Sequence, residues 1–256
     1  MTAVEWLIQH LSKLGLPFMA TLCGHGLDPL FQAARRAGLR LVDTRNEQTA
    51  SYLCEAYGKL TRLPGVCAVS SGVAHVNALA GVANAWFDGA PMLLISGAGP
   101  LRTAGMGHFQ DMDQVSLAHP ITRFARVIDQ PDRVLFDFED ALHAAVGPPP
   151  GPAHLTFPMD VQTAEVLEAD LLKRSPDQTE PPAASGDQTE IARSLQEASR
   201  PVIVAGSGIY YQTAEQDLLD FSREFAIPIV TPIWDRGCVT GGCETFLGVA
   251  GAASGG

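Results

Sequence analysis

Short apolar runs separated by amphipathic stretches set the rhythm of the chain. Val4, Leu7, Ile8 and Leu11 recur at helical spacing, which predicts a helix over 4–14. An apolar run at 18–23 reads as a strand, Gly24-His25-Gly26 as a turn, and 29–37 as a helix. The alternation continues with strands at 39–43, 66–70 and 91–96 and helices at 47–61 and 73–86. A long loop spans 97–113, and a strand at 121–127, a helix at 132–146 and a strand at 154–157 follow. Near-continuous apolar strands alternating with helices imply an α/β fold, a doubly wound parallel sheet covered on both faces.

The segment "TAEVLEADLLKRSPDQTEPPAASG" interrupts this pattern, being acidic and rich in Pro, Ser and Gln. It predicts a linker over 166–186, between a first domain at 1–165 and a second at 187–256. In the second domain helices are expected at 190–198 and 214–225, and strands at 202–205 and 227–231. Two βα units are too few for an independent doubly wound domain, so a partial second α/β domain is expected.

Composition narrows the function. The net charge is −11, and residues 161–190 supply five of those charges, seven Asp/Glu against Lys173 and Arg174. No Lys/Arg cluster offers a phosphate footprint, which argues against nucleic acid as partner. No apolar run approaches the length of a membrane span, and "MTAVEWLIQHL" lacks the layout of a signal peptide, so a cytoplasmic protein without membrane contact is expected. Of five cysteines, Cys54 and Cys67 sit in apolar runs and read as reduced core thiols. Cys238 and Cys243 have loose metal-like spacing but no second pair, so no metal site is assigned.

Ligands of open parallel sheets bind beyond the carboxyl ends of the strands. There lie Gly24-His25-Gly26, the Thr44–Glu47 turn, Ser70-Ser71-Gly72, the 97–110 loop and Gly206-Ser207-Gly208. The last resembles a dinucleotide turn, but Tyr211 stands where a third glycine belongs, and a tight turn explains it. Ser70 and Ser71 serve equally as helix caps or as a ligand cradle. His25, His75 and His108 fall on the same side, where a solvated or core role competes with a functional one. Glu47 has two readings. Beside the helix cap Asn46 it is an acid favoured by the helix dipole, by roughly 0.3–1 kcal/mol. Placed between an apolar strand and Ala50, Ala56 and Tyr57, it is also suited to deliver a proton to a ring nitrogen.

"RNEQTASYLCEAYGKLTRLPGVCAVSSGVAHVNALAGVANAWFDGAPMLLISG", with "GHFQDMDQ" and "GPAHLTFPMDV" further on, resembles the pyrimidine-binding domain of thiamine-diphosphate-dependent enzymes of the acetolactate synthase, pyruvate oxidase and benzoylformate decarboxylase group. "RPVIVAGSGI" resembles the start of that group's central domain. The resemblance implies 2-keto acid carboligation or decarboxylation. Glu47 is then the catalytic acid, which hydrogen-bonds N1′ of the aminopyrimidine. Gly24, His25, Gly26, Ser71, Gly72 and Asn77 join it in binding the cofactor, and Phe109 and Gln110 face the substrate. Val73-Ala74-His75 departs from the family's commoner Pro-Gly-Ala, and His75 either faces the cofactor or solvates the helix. The family's Gly-Asp-Gly motif for Mg²⁺ and diphosphate does not occur in these 256 residues. The resemblance therefore implies that the Mg²⁺ ligands come from a domain outside the chain, and that the chain alone is inactive. The chain is then expected to be a truncated piece of a longer enzyme, forming a homodimer or homotetramer through the pyrimidine-binding domain, or one subunit of a split enzyme whose partner chain carries the diphosphate-binding domain. The competing reading is a non-catalytic interaction module.

Overall fold

The computed structural model describes residues 1–172, 188–239 and 241–251. The chain forms two compact units, Met1–Thr179 and Glu180–Gly256.

The first unit is the expected doubly wound α/β fold. Six parallel strands run in the order β2-β1-β3-β4-β6-β5: β1 Met19–Leu22, β2 Leu41–Asp43, β3 Gly65–Val69, β4 Met92–Ala98, β5 Phe124–Val127 and β6 Pro152–Pro158. β3, β4 and β6 are the most deeply buried, which is why they are mostly apolar, with Ser96, His154 and Thr156 as buried polar exceptions. From β1 the chain moves outward to β2, then crosses to β3 on the other side of β1. This reversal opens a crevice between the carboxyl ends of β1 and β3, where such sheets take ligands.

Helices cover both faces. α1 (Ala3–Lys13), α2 (Asp28–Arg36) and α6 (Val134–Val146) pack on one side around Leu7, Leu30, Phe138 and Phe157. α1 begins with a reciprocal cap: the Thr2 N–H donates to Glu5 Oε2 and the Glu5 N–H donates to Thr2 Oγ1. α3 (Glu47–Thr61) and α4 (Val73–Asp88) pack on the other side around Ala50, Cys54, Ala78, Val82 and Ala85. Cys54 and Cys67 are buried free thiols, as expected. The loop after β4 contains one helix absent from the sequence reading, α5 (Gln114–Ala118). Val166 and Leu171 are buried against the first unit, beside the short helix α7 (Met159–Thr163). The remainder of the expected linker, 173–186, lies outside the described residues.

The second unit carries α8 (Gln188–Glu197), α9 (Ser207–Tyr211), α10 (Glu215–Glu224) and a parallel sheet of β7 (Ile203–Val204), β8 (Ile229–Pro232) and β9 (Phe246–Ala250). β9 corrects the sequence reading, which placed no strand there. Gly248 at φ +113° and a register irregularity at Ile229/Val230 hide the period-two pattern. The Ser207 N–H of the glycine turn is taken by Asp235 Oδ1 at 2.8 Å, and the Cys238 thiol donates to the Gly206 carbonyl.

Candidate functional site

α3 and α4 run side by side and touch once per helical turn. Glu47 faces Asn77, and Ser51 faces Gly81, where an added Cβ would collide with Ser51 Oγ and lie 2.7 Å from its backbone carbon. Further on, Glu55 meets Asn84 and Lys59 pairs with Asp88. Small residues let the two backbones approach, and 3.6 residues per turn repeats the contact every fourth residue on α3 and every third or fourth on α4.

At the first step of this ladder Asn77 Nδ2 donates to Glu47 Oε2 at 3.1 Å. Glu47 is the first residue of α3, half-buried, at the positive end of the helix dipole. Asn46 caps α3 through its Oδ1, 2.7 Å from the Gln48 N–H. Thr44 fixes the approach: its hydroxyl reaches the Thr21 and Asn46 carbonyls at 3.1 and 2.9 Å. Among the described residues the Glu47 carboxylate has no hydrogen-bond partner besides Asn77. The Cys67 thiol lies close enough to feel it; Cys54, burial and the Glu47 charge all push that thiol up.

Gly24, His25, Gly26, Ser71, Gly72, Phe109 and Gln110 come together at the switch-point crevice. A Cβ on Gly24 would lie 2.7 Å from Ser70 Cβ, and one on Gly26 would lie 2.8 Å from the Ala98 nitrogen. Only glycine lets this turn, with Gly26 at φ +94°, press onto the ends of β3 and β4. Ser70 Oγ donates to the His25 carbonyl at 2.8 Å, and the Ser71 hydroxyl donates to Gln110 Oε1 at 3.0 Å. Gln110 itself sits in the left-handed region, at φ +58°, against Gly72. Exposed Phe109 meets the His25 ring edge to face at 5.4 Å. Next to Gln110 a cavity of about 90 Å³ is lined by His108, Asp111, Gln114 and Thr156, among others.

Two supporting residues escaped the sequence reading. Gln114 accepts from the Gly72 N–H at 3.0 Å and donates to the Gly97 carbonyl at 2.9 Å, tying the start of α4 to the end of β4. Gln162 donates to the Gly26 and Phe157 carbonyls at 2.6 and 2.7 Å. Their partners stand 5 to 136 residues away, three of the four at least 17 away, and only their near-complete burial marks them. His75 corrects another expectation. Instead of solvating α4 it is fully buried, bonded to Ser96.

The N-terminal thiamine pyrophosphate binding domain of the thiamine pyrophosphate enzymes matches residues 1–117, and the central domain of the same enzymes matches 189–255. The chain belongs to the thiamine pyrophosphate enzyme family. It is 32% identical over 240 residues to the acetolactate synthase large subunit of Mycobacterium tuberculosis, covering 93% of this chain and 44% of that protein. Similarity to the 2-hydroxyacyl-CoA lyase of Arabidopsis thaliana is 33% over 233 residues, 87% of this chain and 40% of the lyase. The glyoxylate carboligase of Escherichia coli O157:H7 is 31% identical over 259 residues, 98% of this chain and 43% of the carboligase. The chain thus spans less than half the length of these curated relatives. The three are named as a synthase, a lyase and a carboligase. Among the described residues no helix is long and apolar enough to cross a membrane.

Proposed function

We propose that this chain provides the pyrimidine-binding half of a thiamine-diphosphate-dependent 2-keto acid carboligase or decarboxylase of the acetolactate synthase type, and that Glu47 is its proton-transferring acid. The observation that carries this reading is the Glu47–Asn77 pair at the helix start. Asn77 occupies Oε2 and leaves the second carboxylate oxygen for a ring nitrogen. This donor set fits an aminopyrimidine. Bound there, the cofactor supplies an electron sink for the carbon–carbon bond chemistry of 2-keto acids.

The chain's own residues then divide the work. Glu47 holds and returns a proton at the pyrimidine N1′, and Asn77 fixes the carboxylate plane. The Gly24-His25-Gly26 turn and Ser71-Gly72 wall the crevice, while Phe109 and Gln110 stand on the substrate side. Among the described residues no group of three or more His, Cys, Asp or Glu is placed to hold a metal ion. The family resemblance is what assigns Mg²⁺ and the diphosphate to sequence outside this chain, in a homodimer or homotetramer or in a partner chain. On this reading the chain alone is inactive.

The test is C2-proton exchange of thiamine diphosphate, with the chain joined to a diphosphate-binding domain or co-expressed with a chain that carries one. Glu47→Gln keeps the shape and the Asn77 contact but has no labile proton to transfer, so exchange should slow roughly 10²–10⁴-fold. Equal rates in wild type and variant would remove the catalytic role and leave an interaction module.

A further inference from the structure

Behind the crevice, on the α4 side of the sheet, two imidazoles share one hydroxyl. His75 lies in the first turn of α4, Ser96 on β4 and His154 on β6, and all three are fully buried. The register pairs Ser96 with Thr156 and Leu94 with His154, which sets Ser96 and His154 diagonally across adjacent strands. His75 Nδ1 is 2.8 Å and His154 Nε2 3.2 Å from Ser96 Oγ, and the ring centroids are 4.7 Å apart.

A serine hydroxyl has one proton to donate. It donates to one ring and accepts an N–H from the other. In either arrangement one outer nitrogen carries a proton and the other a lone pair. Neither outer nitrogen, His75 Nε2 or His154 Nδ1, has a hydrogen-bond partner. A further proton must settle on that lone pair and create a second buried N–H; the Gln114 backbone favours it in part at His75, while His154 Nδ1 has no acceptor.

No carboxylate on the packed elements compensates such a charge. On α4 the charged residue is Asp88, at the far end and paired with Lys59. α3 turns Glu47 to Asn77 and Glu55 to Asn84. β3 offers the Cys67 thiol, while β4 and α5 carry no charged residue. Arg126 of β5 is engaged with Asp137 of α6 across the sheet, and Asp160 of α7 with the Leu101 N–H. Arg123 stacks on Trp86 near the end of α4, and His119 is exposed. Burial pulls His75 down to about 4, and the Gln114 backbone opposes it. Burial, then the neighbouring His75, holds His154 well below its usual range.

We propose that His75, Ser96 and His154 are positioning residues forming a proton-sensitive clasp: neutral, they fix the first turn of α4 to the sheet and so hold Asn77 against Glu47, and protonated, they release it. The consequence at Glu47 rests on the proposed function; the clasp itself does not. The sign follows from proton binding. Both imidazoles are depressed in the folded state, so between about pH 4 and 6.5 the opened chain binds more protons. The clasp is at full strength above pH 6.5 and is lost as the pH falls toward 4.

Hydrogen exchange of the 256-residue chain tests this without cofactor. Protection at residues 74–78 should fall roughly twentyfold per imidazole released between pH 7 and 5, after correction for intrinsic exchange, while β1 keeps its protection. In a second measurement, proton uptake on unfolding at pH 5.5 should drop by roughly 0.9 in His75→Ala and again in His154→Ala. Unchanged protection at 74–78 in the wild type overturns the clasp even if neither variant folds, and so does an unfolding proton count equal in all three proteins. Failure of the Glu47→Gln exchange test leaves both readouts standing.

Discussion

On one face of the six-stranded sheet, β3, β4 and β6 present Val66, Ala68, Leu93, Ile95, Leu155 and Phe157 to helices that bring Leu7, Leu30 and Phe138. On the other face the same strands present Cys67, Val69, Leu94, Ser96, His154 and Thr156 to helices that bring Ala50, Ala78, Ala85 and Gly81. The first face is bulky and apolar, and each large side chain removed from water there contributes roughly 1.5–3 kcal/mol. The second face is made of small residues and buried polar groups. It gives up hydrophobic area for close backbone approach, and that approach brings Glu47 to Asn77. The same sheet thus separates anchoring from chemistry by the parity of its strand positions.

Four substitutions break or sharpen this contrast. Phe138→Ala, on the bulky face, should cost about 3–5 kcal/mol in urea unfolding while leaving the pH dependence intact. Gly81→Ala, on the small-residue face, should cost about 1–3 kcal/mol by pushing α4 off α3. Ser51→Gly should relieve Gly81→Ala only in part, because the Ser51 backbone carbon also stands in the way. If Gly81→Ala costs more than Phe138→Ala, the division of labour is reversed. The smallest effect is expected at Glu55, whose carboxyl is raised chiefly by burial. The folded chain binds that proton more tightly than the unfolded one, so Glu55 subtracts stability as the pH rises above 4.5. Glu55→Gln should therefore shift stability at pH 7.5 by less than about 1 kcal/mol and flatten its pH dependence above 4.5. A loss as large as that of Gly81→Ala would show that the Glu55 charge is needed where the two helices meet.

Much of the first unit was legible because its strands are continuous apolar runs and its helices begin at recognisable points, such as Asn46 before Glu47. The candidate site was legible as residues but not as contacts. Gly24, Ser71 and Asn77 could be named from the family resemblance. That Gln110 answers Ser71, or that Gln114 spans Gly72 and Gly97, depends on loop geometry that no local pattern encodes. The imidazole pair was hidden for a related reason. His75 looks like one polar residue among apolar neighbours, and His154 like the first residue of a strand. In the structure His154 is internal to a strand buried along its whole length. A histidine in such a strand requires a polar partner, and that requirement is the clue the sequence did offer.

The turn-by-turn ladder between α3 and α4 has a last consequence. Knobs packed this closely do not slide continuously. To leave one set of seats and enter the next, a helix must advance a whole turn, about 5.4 Å. The acid and its amide partner are therefore either seated or a full notch apart, like a ratchet. Small thermal displacements return to the same tooth, so a half-buried carboxylate at a sheet edge can keep a fixed aim although nothing covalent holds it there.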